Sequence, residues 1–190
     1  MSSTNAPFGL RPSFHPSGLD RAVALAGGIA STYPTGIKKG QPVALDTNGN
    51  IIAAVAGNAF QGAFAGHEWT DLSGRRQISN QWIAGTPYIT GSEVTYYYSD
   101  PNIVYDIQAD NSLDQTSVGD QANFSNISAG STTTGLSQCT ISSSLVGSGN
   151  VGDLRIINLY NGVDNAWGDA YTVVQVQVSR SQYVAPVNAI

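Results

Sequence analysis

Charged residues are scarce in this chain of 190 residues. Asp, Glu, Lys and Arg together make up 11% of it, against roughly 25% in an ordinary globular domain. Thirteen Asp and Glu outnumber eight Lys and Arg, which gives a formal net charge of −5. Binding to a nucleic-acid backbone needs clustered cations. The composition therefore argues against a nucleic-acid partner.

Cysteine is almost absent, and long apolar runs are missing. Cys139 is the only cysteine, which excludes a disulfide within the chain and a cysteine-based metal site. No apolar run is long enough to cross a bilayer, and the N-terminus lacks the basic and apolar regions of a signal peptide. We therefore expect synthesis and folding in a cytosol, with no membrane partner.

The abundant residues favour strands and turns. Glycine occurs 21 times, and Ser, Thr, Asn and β-branched residues are frequent. Residues 172–179, "TVVQVQVS", alternate Val with polar residues at the period of a half-buried strand. Apolar runs at 42–46 and 51–55 flank Asn48-Gly49, which predicts a tight hairpin. Because no segment has a helical apolar period, we predict an all-β fold.

Further strands and a division of the chain follow from the same patterns. A strand is predicted within residues 21–31, a hairpin around Ser79-Asn80, and a second hairpin in which residues 99–102 join two β-rich runs. Residues 111–148 are rich in Ser, Thr, Gly and Asn and predict long surface loops interrupted by short strands. We divide the chain into an extended N-terminal arm (1–20), a β-barrel-like module (21–110) and a second β module (111–190). The two modules could form one continuous domain.

The arm has an unusual composition for an exposed terminus. The stretch "NAPFGLRPSFHP" carries three prolines, which exclude a helix, together with Phe8, Leu10 and Phe14. Ordering about 15 residues costs roughly 15–25 kcal/mol of backbone entropy, and offsetting that cost needs roughly 600–1,000 Å² of apolar burial. A neighbouring subunit offers such a surface, and the chain's own domain is the alternative.

Candidate catalytic and cofactor motifs do not meet their structural requirements. "GSGNVG" (147–152) matches a dinucleotide fingerprint, but a strand-like segment follows where the motif needs a helix. "DTNGNI" lacks the glycine and glutamate of a calcium loop. His15 and His67 are the only histidines, and no G-x-S-x-G motif is present. We expect no enzyme activity, cofactor or metal, and keep a hydrolase that uses His67 as an alternative.

Three consecutive tyrosines, Tyr96, Tyr97 and Tyr98, lie in a predicted strand. Because neighbouring side chains of a strand point to opposite faces, at least one face is aromatic there. That face would belong to the core, to a subunit contact or to a carbohydrate-stacking surface.

Four segments in order resemble the capsid decoration (cement) proteins of tailed bacteriophages. They are "NAPFGLRP" at the start, "KKGQPVALDTNGNIIAAVAG" followed by "FQGAFAG", then "VGDQANFSNISAGSTTTGLSQCTIS", and a closing "DNAWGDAYTVVQVQVSRSQY". The resemblance implies an all-β, β-barrel or β-tulip-like decoration-protein architecture with an extended N-terminal arm. It also implies a homotrimer on the outer surface of the virion head, which stabilises the shell by clamping neighbouring major capsid protein subunits.

The predicted function is binding rather than chemistry. The arm and the module at 38–66 would form the contact with the major capsid protein or with a second subunit. The candidate interface residues are Phe8, Leu10, Arg11, Pro12, Phe14, Lys38 and Lys39. The alternative is a phage tail, head-fibre or baseplate structural protein with a β-rich host-binding surface.

Overall fold

A computed structural model describes residues 2–18, 22–186 and 188–189 of the chain. Strands dominate the described residues, and the all-β prediction is confirmed. The strands are β1 (Arg11–Phe14), β2 (Val23–Ala26), β3 (Ile37–Lys38), β4 (Pro42–Leu45), β5 (Ile51–Ala53), β6 (Gly62–Thr70), β7 (Arg76–Ser79), β8 (Gln81–Trp82), β9 (Val94–Tyr97), β10 (Val104–Gln108), β11 (Gln121–Ser125), β12 (Gly130–Ser131), β13 (Leu136–Ser137), β14 (Thr140–Leu145), β15 (Leu154–Leu159) and β16 (Val173–Val178). A short 3-10 helix covers Gln115–Ser117. Within these ranges, no helix has the length and apolar character needed to span a bilayer.

Two six-stranded antiparallel sheets form the body of the protein. Sheet I has the strand order β1-β10-β16-β15-β11-β14. Sheet II has the order β2-β9-β6-β4-β5, with β7 also paired to β6. An isolated bridge between Ala109 and Ile141 brings the two sides of sheet I together, but the described strands do not close a barrel.

The clearest local signals of the sequence are confirmed. Strands β4 and β5 pair across the Asn48-Gly49 turn, where Gly49 has φ +80° and Asp46 accepts hydrogen bonds from the following backbone amides. In β16 the valines are buried and the glutamines are partly exposed. A reverse turn and a period-two pattern both depend only on neighbouring residues, so the sequence is sufficient to predict them.

Both other predicted hairpins are wrong. The strands that flank Asn80 have different partners, since β7 pairs with β6 and β8 pairs with β3. The strands on either side of residues 99–102 belong to different sheets, β9 to sheet II and β10 to sheet I. Both connecting turns exist, but neither joins two paired strands, and at residues 99–102 the chain passes from sheet II to sheet I. The predicted strand within 21–31 is limited to β2, and Arg21 lies outside the described residues.

Two hydrophobic clusters explain why the chain crosses. The larger packs inside sheet I and extends to the loop before β6; its bulkiest members are Leu10, Phe60, Ile103, Tyr105, Ile107, Phe124, Ile141, Leu154 and Ile156. The smaller lies against sheet II and comprises Ile29, Ile37, Val43, Ile51, Phe64, Trp82 and Tyr97. Tyr97 and Tyr105 therefore enter different cores although only seven residues separate them, and the turn at 99–102 is the crossing point.

The N-terminal arm packs along its own chain. Strand β1 pairs with β10, and Leu10 is fully buried in the larger core. Ser2 is also buried; its amide donates to the Asp164 carbonyl at 3.2 Å, and its carbonyl accepts from the Tyr171 amide at 2.7 Å. The Ala6 amide donates to Gln108 Oε1 at 3.0 Å. Of the two surfaces considered for the arm, a neighbouring subunit and its own domain, the chain's own domain thus provides contacts that order it.

Candidate functional site

An apolar groove of about 220 Å³ lies where the arm crosses sheet II, and we call it the arm groove. The arm contributes Phe8, Leu10, Arg11 and Pro12, and the opposite side contributes Lys39, Gly40, Phe64, Tyr98 and Leu136. Five of the seven predicted interface residues therefore line one feature. Phe14 and Lys38 do not line it: Phe14 is 46% exposed further along the arm, and Lys38 lines a neighbouring cavity with Trp82.

Backbone hydrogen bonds at Gly40 and the close approach of Gly9 hold the arm in place. The Leu10 amide donates to the Gly40 carbonyl at 2.8 Å, and the Gly40 amide donates to the Phe64 carbonyl at 2.8 Å. Gly9 has φ +78°, and a Cβ atom on it would lie 2.8 Å from the Gly40 oxygen and 2.8 Å from Ser137 Cβ. Glycine at this position thus permits both the left-handed backbone and the close approach. These contacts fix the shape of the groove.

Arg11 forms one rim of the groove. Its guanidinium Nη2 donates to Asp106 Oδ2 at 3.0 Å, and the side chain of Asp106 is 4% exposed while that of Arg11 is 49% exposed. The same guanidinium lies 4.5 Å from the centre of the Phe8 ring and 5.5 Å from that of Tyr160. A cation over an aromatic face is attracted by the ring quadrupole. Arg11 therefore orients Phe8 in addition to anchoring β1 on β10.

Lys39 forms the opposite rim. Its backbone amide donates to Gly135 and its carbonyl accepts from the Ser137 amide, each at 2.9 Å, so β13 fixes its position. Its side chain is exposed, and no carboxylate of the described residues forms an ion pair with it. The groove thus combines an apolar floor with a free ammonium on one side and a half-exposed guanidinium on the other.

His67, the residue of the hydrolase alternative, is buried between aromatic rings. It is 1% exposed, stacks on Trp69 at 5.5 Å and meets the edge of Trp82 at 4.9 Å. Its Nδ1 lies 3.1 Å from Thr95 Oγ1. Burial lowers the pKa of His67 from 6.5 to about 4, and the positive charge of Arg76 adds to the shift while Glu68 opposes it. The imidazole is therefore neutral at pH 7 and packed as a core residue.

The lowered pKa of His67 predicts a loss of stability in acid. The unfolded chain binds a proton near pH 6.5, whereas the folded chain does so only near pH 4. The contribution of neutral His67 to the free energy of unfolding is thus complete above pH 6.5. It is lost as the pH falls from about 6.5 to about 4, because the unfolded chain is protonated first. We expect the free energy of unfolding to be about 2 kcal/mol lower at about pH 5 than at about pH 8.

Urea denaturation at both pH values measures this difference, and His67→Gln is the matched variant. Glutamine does not titrate, so the variant should lose most of the pH dependence between these two values. Asp153, whose pKa is raised by burial, acts in the opposite direction in both proteins and cancels from the comparison. An unchanged pH dependence in His67→Gln would contradict the assignment to His67.

His15 takes part in a Ser–His–Asp arrangement that sequence analysis missed. Its Nδ1 lies 2.6 Å from Ser17 Oγ, and its Nε2 lies 3.1 Å from Asp100 Oδ2. However, the Ser17 amide donates to His15 Nδ1, and the Gly18 amide donates to the His15 carbonyl. Neither amide is available to stabilise an oxyanion. The arrangement is a turn that ties the end of the arm to the loop after β9.

The other motifs have structural roles. Residues 147–152 form a turn between β14 and β15, in which the Asn150 amide donates to the Gly147 carbonyl at 3.1 Å. Cys139 is fully buried, and burial raises the pKa of its thiol. Throughout the part of the chain that the structure describes, no three His, Cys, Asp or Glu side chains are grouped to hold a metal ion. Comparisons with protein-family models, with curated proteins and with solved structures found no match to this chain.

Proposed function

We propose that this protein is a capsid decoration protein that binds the outer surface of a phage head and bridges major capsid protein subunits. The observation that carries the proposal is the arm groove. It has an apolar floor of Phe8, Phe64 and Leu136 between two cationic rims, which is the layout of a protein-binding patch. The resemblance of four ordered segments to decoration proteins supports the same function.

The charge of the groove favours an acidic partner segment. The chain as a whole has a net charge of −5, yet Lys39 at the groove pairs with no carboxylate of the described residues. Arg11, although paired with Asp106, keeps about half of its side chain exposed there. Opposite charges at the rim steer association and fix the register of a contact. We propose that a loop of the major capsid protein, apolar at its tip and acidic at its flanks, occupies the arm groove.

A homotrimer would strengthen such a contact. A single groove of about 220 Å³ provides a small contact, and three copies held together multiply its effect through effective concentration. We therefore propose a trimer on the outer face of the head, with the face that carries the arm groove directed at the capsid. The shell would be stabilised because each copy resists separation of the subunits it bridges.

Co-sedimentation of purified protein with heads that lack it tests the proposal. We expect saturation at many copies per head, and Phe8→Ala and Lys39→Gln should each weaken binding about tenfold because they remove an apolar anchor and a rim charge. Ile78→Ala and Arg75→Gln are matched controls, since Ile78 is 79% exposed on sheet II and Arg75 is an exposed cation. Both controls should bind like the unmodified protein.

Two results would contradict the proposal. If the unmodified protein does not bind heads, the decoration function is wrong. If all four variants bind equally, the arm groove is not the contact. Binding of a few copies at the tail would instead favour the tail, head-fibre or baseplate function.

A further inference from the structure

We propose that a second cleft, on the outer face of sheet I, binds the carboxylate of an acidic sugar. The cleft has a volume of about 390 Å³ and lies between β15, β16, the loop after β9 and the segment that follows β16. We call it the Arg155 cleft, because Arg155 is the only cation among the described residues that line it. The inference is independent of the capsid function and of the arm groove.

Arg155 differs from the other arginines that the structure describes. Arg11, Arg75, Arg76 and Arg180 each form an ion pair with a carboxylate. Arg155 forms none among the described residues, although it is the second residue of β15 and is partly buried. A guanidinium presents five donors in a planar fork that matches a carboxylate. The cleft thus holds a guanidinium that no carboxylate of the described residues pairs with.

The neighbours of Arg155 offer hydrogen bonds rather than opposite charge. Gln177 lies directly opposite Arg155 in the β15–β16 ladder, and its Nε2 donates to the Asn102 carbonyl at 3.2 Å, which leaves Oε1 of Gln177 as an acceptor. Ser179 Oγ is buried, and no residue in the described ranges forms a hydrogen bond with it. Asn102, Gln177, Ser179 and Ser181 thus add amide and hydroxyl groups to the lining of the cleft.

Two carboxylates that lie close in sequence to residues of the cleft are occupied elsewhere. Asp153, two residues before Arg155, accepts from the Gly57 and Phe124 amides and pairs with Arg180. Asp100, next to the cleft residue Pro101, accepts from the Asn102 amide and pairs with His15. Neither of these two carboxylates is among the residues that line the cleft. Since no carboxylate in the described part of the chain pairs with Arg155, its positive charge can attract an anion from outside.

The chemistry of the lining favours a sugar acid over a simple anion. One guanidinium pairs with one carboxylate, and the Ser179 hydroxyl and Gln177 Oε1 can form hydrogen bonds with hydroxyl groups of the ligand. Pro101, Val178 and Val184 supply a small apolar wall, which suits the C–H face of a sugar ring. The volume of about 390 Å³ lies within the ordinary range of about 300–1,000 Å³ for small-molecule sites.

Titration of the full chain with sugar acids, followed by NMR or calorimetry, tests this proposal. The probes are glucuronate, galacturonate and N-acetylneuraminate, with glucose and acetate as the neutral and anionic controls. We expect at least one sugar acid to bind more tightly than either control. Arg155→Gln should weaken that binding about tenfold or more because it removes a charge-assisted pair. Arg75→Gln, which removes an equally charged side chain elsewhere, should leave it unchanged.

Each alternative result overturns the proposal. If none of the three sugar acids binds, or if Arg155→Gln binds as well as the unmodified protein, the cleft is not the site. If acetate binds as tightly as the sugar acids, the cleft recognises a bare anion only. Thermal unfolding of Arg155→Gln verifies that the variant is folded, and head binding of the same variant should be unaffected.

Discussion

Leu10→Ala is expected to lower the free energy of unfolding by about 3 kcal/mol. Leu10 is fully buried in the core of sheet I, although it belongs to an N-terminal segment. Its replacement removes three carbon atoms and leaves a cavity among residues that other strands hold in place. Denaturant unfolding measures the change directly, and the midpoint should shift while the slope with denaturant stays constant.

Phe14→Ala is the matched control on the same arm. Phe14 is larger than Leu10, but it is 46% exposed at the end of β1, so its loss should cost less than about 1 kcal/mol. A small effect of both substitutions would mean that the arm detaches from sheet I in solution. The groove that depends on the arm would then not exist in the free protein.

Asp153→Ala is expected to lower the free energy of unfolding by about 4 kcal/mol, which is more than the effect of Leu10→Ala. The carboxylate is fully buried and accepts hydrogen bonds from the Gly57 amide at 3.0 Å and the Phe124 amide at 3.1 Å. Arg180 Nε lies 3.5 Å from the same carboxylate. Alanine would leave the buried Phe124 amide and the partly buried Gly57 amide without their acceptor, and it would remove the negative charge beside Arg180. The loop at Gly57 would also lose its connection to sheet I.

Asp153→Asn separates hydrogen bonding from charge. Burial raises the pKa of Asp153 although the Gly57 and Phe124 amides and Arg180 oppose the shift, so the negative charge itself is costly in this environment. The amide oxygen of Asn can still accept the two backbone hydrogen bonds. We expect Asn to recover at least half of the stability that Ala loses. Equal losses in the two variants would show that the ion pair with Arg180 dominates.

Features that depend on neighbouring residues could be predicted from the sequence, whereas strand partners could not. The alternation in β16 and the turn at Asn48-Gly49 depend on local geometry alone. The turn at 99–102 resembles a hairpin connection, yet β9 and β10 enter different sheets because Tyr97 and Tyr105 pack in different cores. Spacing between two strands does not specify which core each one joins.

The two candidate sites differ in how far the sequence indicates them. Phe8, Leu10, Arg11, Pro12 and Lys39 were predicted as interface residues, and all five line the arm groove. The sequence did not distinguish the buried Leu10 from its exposed neighbours, because an extended segment without a known partner strand has no defined inner face. Whether these residues bind a capsid stays a prediction.

The Arg155 cleft was missed altogether. Arg155 and Gln177 were each visible as polar residues of predicted strands, but neither belongs to a recognised motif. Their proximity depends on the antiparallel register of β15 and β16. A correct prediction that β15 and β16 are neighbours in this register would have placed Arg155 and Gln177 side by side on the outer face of sheet I.

The position of β16 within sheet I has a consequence for biosynthesis. Strand β16 lies between β10 and β15, and β10 in turn holds β1, so the sheet cannot assemble before residues 173–178 leave the ribosome. The amide of Ser2 must also wait for Asp164, 162 positions later. Such non-local pairing slows folding and leaves nascent strands exposed to aggregation. Sheet I is thus complete only after almost the whole chain has been translated.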